Sequence, residues 1–256
     1  MKMRCFIKEA IEKNGYALGA FVASGSAMNC ECLGINGMDF VIIDAEHAQT
    51  DAETMVDMSR ASELYEMSAI VRVYNPDDYT MMSRMLDVGM HGIMVPMVED
   101  ASQAEKIIRY IKYPPLGMRG VNGGRGPRWG MIENYPEQAN DKLFTAMQIE
   151  SRKGVENVEQ IARVKGVDCL FIGTGDLTQD YGCPGENDNP IIVDAIDRVL
   201  SACKKNDIIP GIVSGGSEDV LRRLVQGFSF VTCMNDQVFF RVESGKRIHA
   251  IRNGIK

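Results

Sequence analysis

The sequence predicts an α/β fold, a (β/α)8 TIM barrel, on three observations. Eight short apolar runs alternate with segments whose apolar residues fall at helical spacing. The chain has 256 residues, and barrels of this kind commonly have about 250. Two consecutive apolar runs lead into carboxylates: residues 146–150 end on Glu150, and 169–172 pass through Gly173-Thr174-Gly175 to Asp176. Strand, helix and strand in about 25 residues make one βαβ unit with parallel strands. Both acids then emerge at carboxyl ends of neighbouring strands, where α/β folds place their ligands. An open doubly wound sheet needs fewer strands and usually carries a Gly-rich nucleotide loop after its first one. Residues 18–24 contain no such loop.

In chain order, residues 6–13 have the spacing of a short amphipathic helix stopped by Gly15. Residues 18–22 are the first strand, and a helix over 27–33 follows the loop Ser24-Gly25-Ser26. Phe40-Val41-Ile42-Ile43 is the second strand, apolar throughout as a strand buried on both faces must be. It runs into Asp44-Ala45-Glu46-His47, and a helix over 52–64 keeps Met55, Met58 and Ala61 on one side. The third strand is 69–73, and Asn75-Pro76-Asp77-Asp78 is a turn that caps a helix ending near Val88. The fourth strand and helix are 92–96 and 101–110. A Gly-, Pro- and Arg-rich stretch from Lys112 to Asn140, holding the single Trp129, reads as a long functional loop. The fifth and sixth strands flank a helix over about 153–165. A helix at 190–205, a strand at 208–213, a helix at 218–225 and a strand at 228–233 complete the barrel. The final helix, about 238–252, has an apolar series (Val238, Phe239, Phe240, Val242, Ile248, Ile251) that either closes the barrel or packs on a neighbouring subunit. Residues 1–256 read as one barrel domain.

Hydrophobic content of 45% and charged content of 25% are those of an ordinary globular chain. The net charge of −7 argues against nucleic acid or an anionic membrane as partner. No apolar run approaches the ~18 residues of a membrane span, and residues 1–14 show no signal-peptide core. Seven cysteines, an odd count with Cys169 and Cys233 inside apolar runs, read as reduced thiols in the cytoplasm. Cys30-Glu31-Cys32 is too short and isolated for a zinc site.

The same rim collects further polar residues: Glu46 and His47 after the second strand and Arg72 in the third, with Glu150 and Asp176. Two hard oxygen ligands suit a magnesium- or manganese-like ion that keeps several waters. His47, the one histidine at such a position, suits a general base or acid. Arg72, between Val71 and Val73, is either half of a buried ion pair or a fixed fork for an anionic oxygen. Gly173 and Gly175 let backbone N–H groups approach an anion. His91 and His249 read as structural, the 17 methionines as core filler, and Asp87 by position as an ordinary surface acid. No lysine ends a rim strand, which disfavours Schiff-base chemistry.

Four motifs taken together, Asp44-Ala45-Glu46-His47-Ala48, Tyr113-Pro114-Pro115-Leu116-Gly117-Met118-Arg119-Gly120, Gln148-Ile149-Glu150-Ser151 and Phe171-Ile172-Gly173-Thr174-Gly175-Asp176-Leu177, resemble those of the HpcH/HpaI aldolases over roughly residues 18–236. That family comprises metal-dependent class II pyruvate aldolases. The resemblance implies a phosphoenolpyruvate/pyruvate-type barrel, usually a hexamer (a trimer of dimers), that cleaves a 4-hydroxy-2-oxo acid to pyruvate and an aldehyde. It implies that Glu150 and Asp176 hold Mg2+ or Mn2+, with Co2+ a further candidate. His47 would be the catalytic base or its relay, oriented by Asp87 within Leu86-Asp87-Val88-Gly89, and Arg72 would hold the enolate oxygen. Gln148, Thr174 and Gly175 would bind substrate. Two departures bear on specificity: Thr174-Gly175 stands where many members have Pro-Ala, and Cys233-Met234-Asn235-Asp236 lacks the Gly usual near that Asp. Two other expectations stay open. A carbon–carbon lyase acting on an acyl-CoA thioester would use the arginines at 119, 125 and 128 as a basic mouth. A catalytically silent barrel would tolerate loss of Glu150 or Asp176.

Overall fold

The computed structural model describes residues 1–255. Eight parallel strands close in sequence order: β1 (Ala17–Val22), β2 (Phe40–Asp44), β3 (Ser68–Arg72), β4 (Gly92–Val95), β5 (Phe144–Ile149), β6 (Cys169–Ile172), β7 (Ile209–Val213) and β8 (Phe230–Asn235), with β8 returning to pair with β1. The helices are α1 (Phe6–Asn14), α2 (Ala27–Ile35), α3 (Ala52–Leu64), α4 (Tyr79–Asp87), α5 (Ala101–Ile111), α6 (Tyr135–Lys142), α7 (Arg152–Glu156), α8 (Val158–Ile161), α9 (Thr174–Asp180), α10 (Pro190–Asn206), α11 (Ser217–Gln226) and α12 (Asp236–Gly254). Among the described residues no helix is long and apolar enough to cross a membrane.

Many helices begin where a short polar side chain takes an orphan first-turn N–H. Ser26, Asp51, Asp78, Asp100 and Ser151 each accept the N–H three residues on. Inside the barrel, alternation along each strand builds an aromatic plug: Phe40 stacks on Phe230 at 4.0 Å between centroids, Phe144 lies 5.0 Å from Phe230, and Phe171 meets it edge-on. Ile7 and Ala10 of α1 join this inner cluster, so α1 seals the amino-terminal end of the barrel. Outward-facing residues of the strands pack on the surrounding helices in a second cluster.

Three local elements differ from the sequence expectation. The stretch 112–140 is not all loop: it holds a tight helical turn (Arg128–Gly130) and the start of α6. Only Tyr135 and Ala139 of α6 are buried, so its short polar sequence shows little apolar periodicity. The helix expected over 153–165 breaks at Asn157, whose side-chain amide donates to the Glu99 carbonyl at 2.9 Å. Finally, α9 starts immediately after β6, with Gly173 as its N-cap.

The connection from α5 to β5 runs along the amino-terminal face, opposite the rim. There Glu63 receives Arg125 at 2.9 Å, Arg128 at 2.6 Å and His91 at 3.4 Å. His91 Nδ1 accepts the Ala69 N–H at 3.1 Å, which fixes the hydrogen on Nε2, facing Glu63. This is a structural role for His91.

Candidate active site

Strand alternation decides which polar groups enter the barrel. In β2 it turns Phe40, Ile42 and Asp44 inward; in β3 Ser68, Ile70 and Arg72; in β5 Phe144, Ala146 and Gln148, with Glu150 following in register. The inward layer nearest the carboxyl rim is therefore polar above an apolar floor. Arg72 Nε and Nη2 donate to the two carboxylate oxygens of Asp44 at 3.0 and 2.8 Å, a bidentate fork. Arg72 Nη1 lies 3.2 Å from Glu46, and the guanidinium sits over the Phe21 ring, 4.9 Å from its centroid.

Burial works to raise the Asp44 carboxyl, but Arg72 and the backbone N–H groups of His47 and Glu46 outweigh it and hold it below its ordinary range. Burial works equally to lower Arg72, and Asp44, Glu46 and Glu150 outweigh that. A pair this deep adds little net stability, yet losing either partner typically costs about 3–5 kcal/mol. Its consequence is direction: Arg72 is locked in place with its charge at the rim.

Glu150 is 2% exposed. One oxygen accepts the Met97 N–H at 2.9 Å and the other accepts the Gln148 side-chain amide. Burial raises the Glu150 carboxyl to about 7, and the nearby charges of Asp176 and Glu46 add to the rise. Glu46 is likewise raised, first by burial and further by Asp44 and Asp176 against the pull of Arg72 and His47. The amide oxygen of Gln148 is buried without a partner. Two acids with raised carboxyls beside the charge of Asp176, one committed arginine and an orphaned amide oxygen form a donor set short of positive charge. That fits a hard divalent cation. Among the described residues no group of three or more His, Cys, Asp or Glu forms a complete metal cluster, so such an ion would rest on few protein oxygens and complete its shell with water or substrate.

Gly173 makes this packing possible. A Cβ there would land on a Glu150 carboxylate oxygen and lie 2.8 Å from the Gln148 amide nitrogen. The first-turn N–H groups of α9 have no side-chain cap, Gly175 faces open space, and Asp176 lies exposed in that turn. The His47 N–H donates to Asp44 at 3.3 Å, and the imidazole, largely exposed, places Nε2 3.7 Å from Glu46.

His47, Arg72, Gln148, Glu150, Thr174, Gly175 and Asp176 thus share one rim. Asp87 does not join them within a chain. It ends α4, whose last turn lies at the amino-terminal face, and accepts Arg119 at 2.7 Å and the Asn122 amide at 2.6 Å. The arginines at 119, 125 and 128 lie on that face too, each on a carboxylate. A cavity of about 390 Å3 opens there between Arg4, Glu63, His91 and Arg128, but its central acid, Glu63, is already held by two arginines and the His91 imidazole. It is remote from the polar rim. Two residues of the rim escaped sequence reasoning, Asp44 and Met97. Alternation from Phe40 would have found the first.

The model of the HpcH/HpaI aldolase/citrate lyase family matches residues 17–241. The 5-keto-4-deoxy-D-glucarate aldolase of Klebsiella pneumoniae is 34% identical over 246 residues, 96% of either chain. The hydroxypyruvate/pyruvate aldolase of Chromohalobacter salexigens is 36% identical over 218 residues, 84% of this chain and 85% of that one. Among solved structures, an HpcH/HpaI aldolase/citrate lyase family protein from Burkholderia cenocepacia superposes with a TM-score of 0.89 at 30% identity, covering 96% of this chain and 98% of that chain. The chain belongs to the HpcH/HpaI aldolase/citrate lyase family.

Proposed function

We propose that this member of the family is a carbon–carbon lyase that cleaves a 4-hydroxy-2-oxo acid to pyruvate and an aldehyde, and condenses them in reverse, with a divalent ion held by Glu150 and Asp176. The observation that carries the reading is the Arg72–Asp44 fork, fixed beside the acid-rich, cation-deficient set around Glu150. The aldolase names of the relatives support it. A bound Mg2+ or Mn2+ would supply Lewis acidity toward the keto and carboxylate oxygens of the substrate.

The remaining work falls to side chains. Arg72, unable to swing away from Asp44, presents fixed positive charge to the C2 oxygen as charge grows there. His47, exposed and flanked by Glu46, takes the proton of the 4-hydroxyl as the C3–C4 bond breaks. Gln148 and the free N–H groups at Thr174, Gly175 and Asp176 hold the substrate carboxylate. The acyl-CoA reading loses its support within one chain, because its arginines face away from the rim and are paired.

Asp87 orients His47 only if it reaches the rim of a second copy, and the surface of the chain favours such an assembly. Asp236 is the single buried residue of the 19-residue α12, and Phe239, Phe240, Ile248 and Ile251 lie exposed. Val121, Trp129 and Met131 are exposed near Asp87's face. We read the enzyme as a homo-oligomer, hexameric as the family resemblance implies, and as cytoplasmic on its seven unpaired cysteines.

Metal-stripped protein should release pyruvate from a racemic 4-hydroxy-2-oxo acid only after Mg2+ or Mn2+ is added. Glu150→Gln should lose that response, and borohydride should trap no adduct. Release that ignores metal, or a trapped adduct, would overturn the reading.

A further inference from the structure

Met97 has φ +52°, a left-handed conformation that brings an L-residue's Cβ against the following carbonyl. The other non-glycine residues of positive φ among those described, Glu66, Arg128, Trp129, Asn134 and Asp207, all lie in connections at the amino-terminal face. Met97 alone of that set is at the rim. Its surroundings hold it there. The Val98 N–H donates to the Gln148 carbonyl at 3.1 Å. Ser151 donates to the Glu99 carboxylate at 3.0 Å and Asn157 to the Glu99 carbonyl at 2.9 Å. Gly154 packs so closely that a Cβ would sit 2.8 Å from the Val98 carbonyl oxygen. The segment 97–99 is thus clamped onto the end of β5 and the start of α7.

What the strained turn delivers is one backbone N–H, 2.9 Å from Glu150 Oε1. Met97 is 41% exposed, so core packing does not account for the conformation. We propose that Met97 is a positioning residue for Glu150: its left-handed backbone aims the N–H that, with the Gln148 amide, sets the carboxylate to receive a divalent ion. The inference rests on the reading of Glu150 as a metal ligand. Its signature is that affinity for the ion should follow tolerance of the left-handed region at position 97, not side-chain size or hydropathy. Gly and Asn tolerate that region best, and β-branched residues least.

The test titrates Mn2+ into metal-stripped protein and follows free Mn2+ by electron paramagnetic resonance, for wild type, M97G, M97N, M97L, M97V and E150Q. M97G and M97N should bind at least as tightly as wild type, M97L within about twofold, and M97V about tenfold more weakly, the low end of what outer-shell partners typically cost. If M97V does not fold, the proposal stands only if M97G and M97N bind more tightly than M97L. The reverse order, with M97G weakest, would assign the role to the side chain and overturn the proposal. Equal affinities across the series, with E150Q losing Mn2+, would overturn it while leaving Glu150 a ligand. E150Q binding like wild type would sink the reading of Glu150 and the inference with it.

Discussion

Gly173→Ala should lower kcat/KM by about 100-fold. Gly173 has φ −90° and ψ 91°, values open to an L-residue, so alanine incurs no left-handed penalty. Loss of chain entropy in the unfolded state would by itself favour alanine by about 0.4–1 kcal/mol. The steric effect runs the other way. The new methyl falls on a Glu150 carboxylate oxygen and 2.8 Å from the Gln148 nitrogen, where a carbon atom finds its optimum near ~3.5 Å. The carboxylate must yield by about 1 Å, and Glu150 and Gln148 are each 2% exposed with Glu150 tied to the Met97 N–H. A displacement of that size costs about 100-fold in rate, or about 2.7 kcal/mol of transition-state stabilisation. Overpacking also removes about 1–3 kcal/mol of fold stability, more than the entropic gain returns. Pyruvate release coupled to lactate dehydrogenase, alongside urea unfolding of the same preparation, reads both quantities. Activity within threefold of wild type with an unchanged or raised urea midpoint would refute the steric argument.

Two further outcomes follow from groups outside the Glu150 cluster. Burial works to raise the Glu63 carboxyl, but His91, Arg125 and Arg128 outweigh it and hold it well below its ordinary value of 4.5. A depressed carboxyl contributes stability that is present above the unfolded value and is lost as pH falls toward the folded one. The urea midpoint should therefore drop on acidification below about pH 4.5, and Glu63→Gln should flatten that drop; parallel slopes would contradict the assignment. Replacing both Phe239 and Phe240 of α12 by Asp should shift sedimentation to a smaller species, and a wild-type chain that already sediments as a monomer would remove the assembly from the proposal.

The barrel was readable because strands of a closed parallel sheet are buried on both faces and appear as unbroken apolar runs. Residues 40–43 and 169–172 are examples, and Gly15, at φ +83°, stops α1 where expected. The region 112–143 was less readable for a physical reason. Much of its order comes from side chains reaching distant backbone: Lys112 Nζ donates to the Asn140 and Leu143 carbonyls, and Asn140 exchanges hydrogen bonds with the Tyr113 backbone. Such contacts leave no period in the sequence.

The rim was readable in composition but not in its internal wiring. Arg72 could be placed at a strand end, yet its partner could be found only by carrying the alternation of β2 one step past Ile43 to Asp44. Met97 carries no signal at all, since what matters there is a backbone angle that methionine rarely adopts. Asp87 is the instructive case. A motif can join it to His47, but a barrel strand and the helix after it run in opposite directions, so a residue ending a strand and one ending a helix lie on opposite faces of one chain. A partnership between His47 and Asp87 is therefore a statement about two chains. It requires the amino-terminal face of one copy to meet the rim of another, and the exposed apolar side chains of α12 and of the 121–131 segment offer surfaces on which copies can meet.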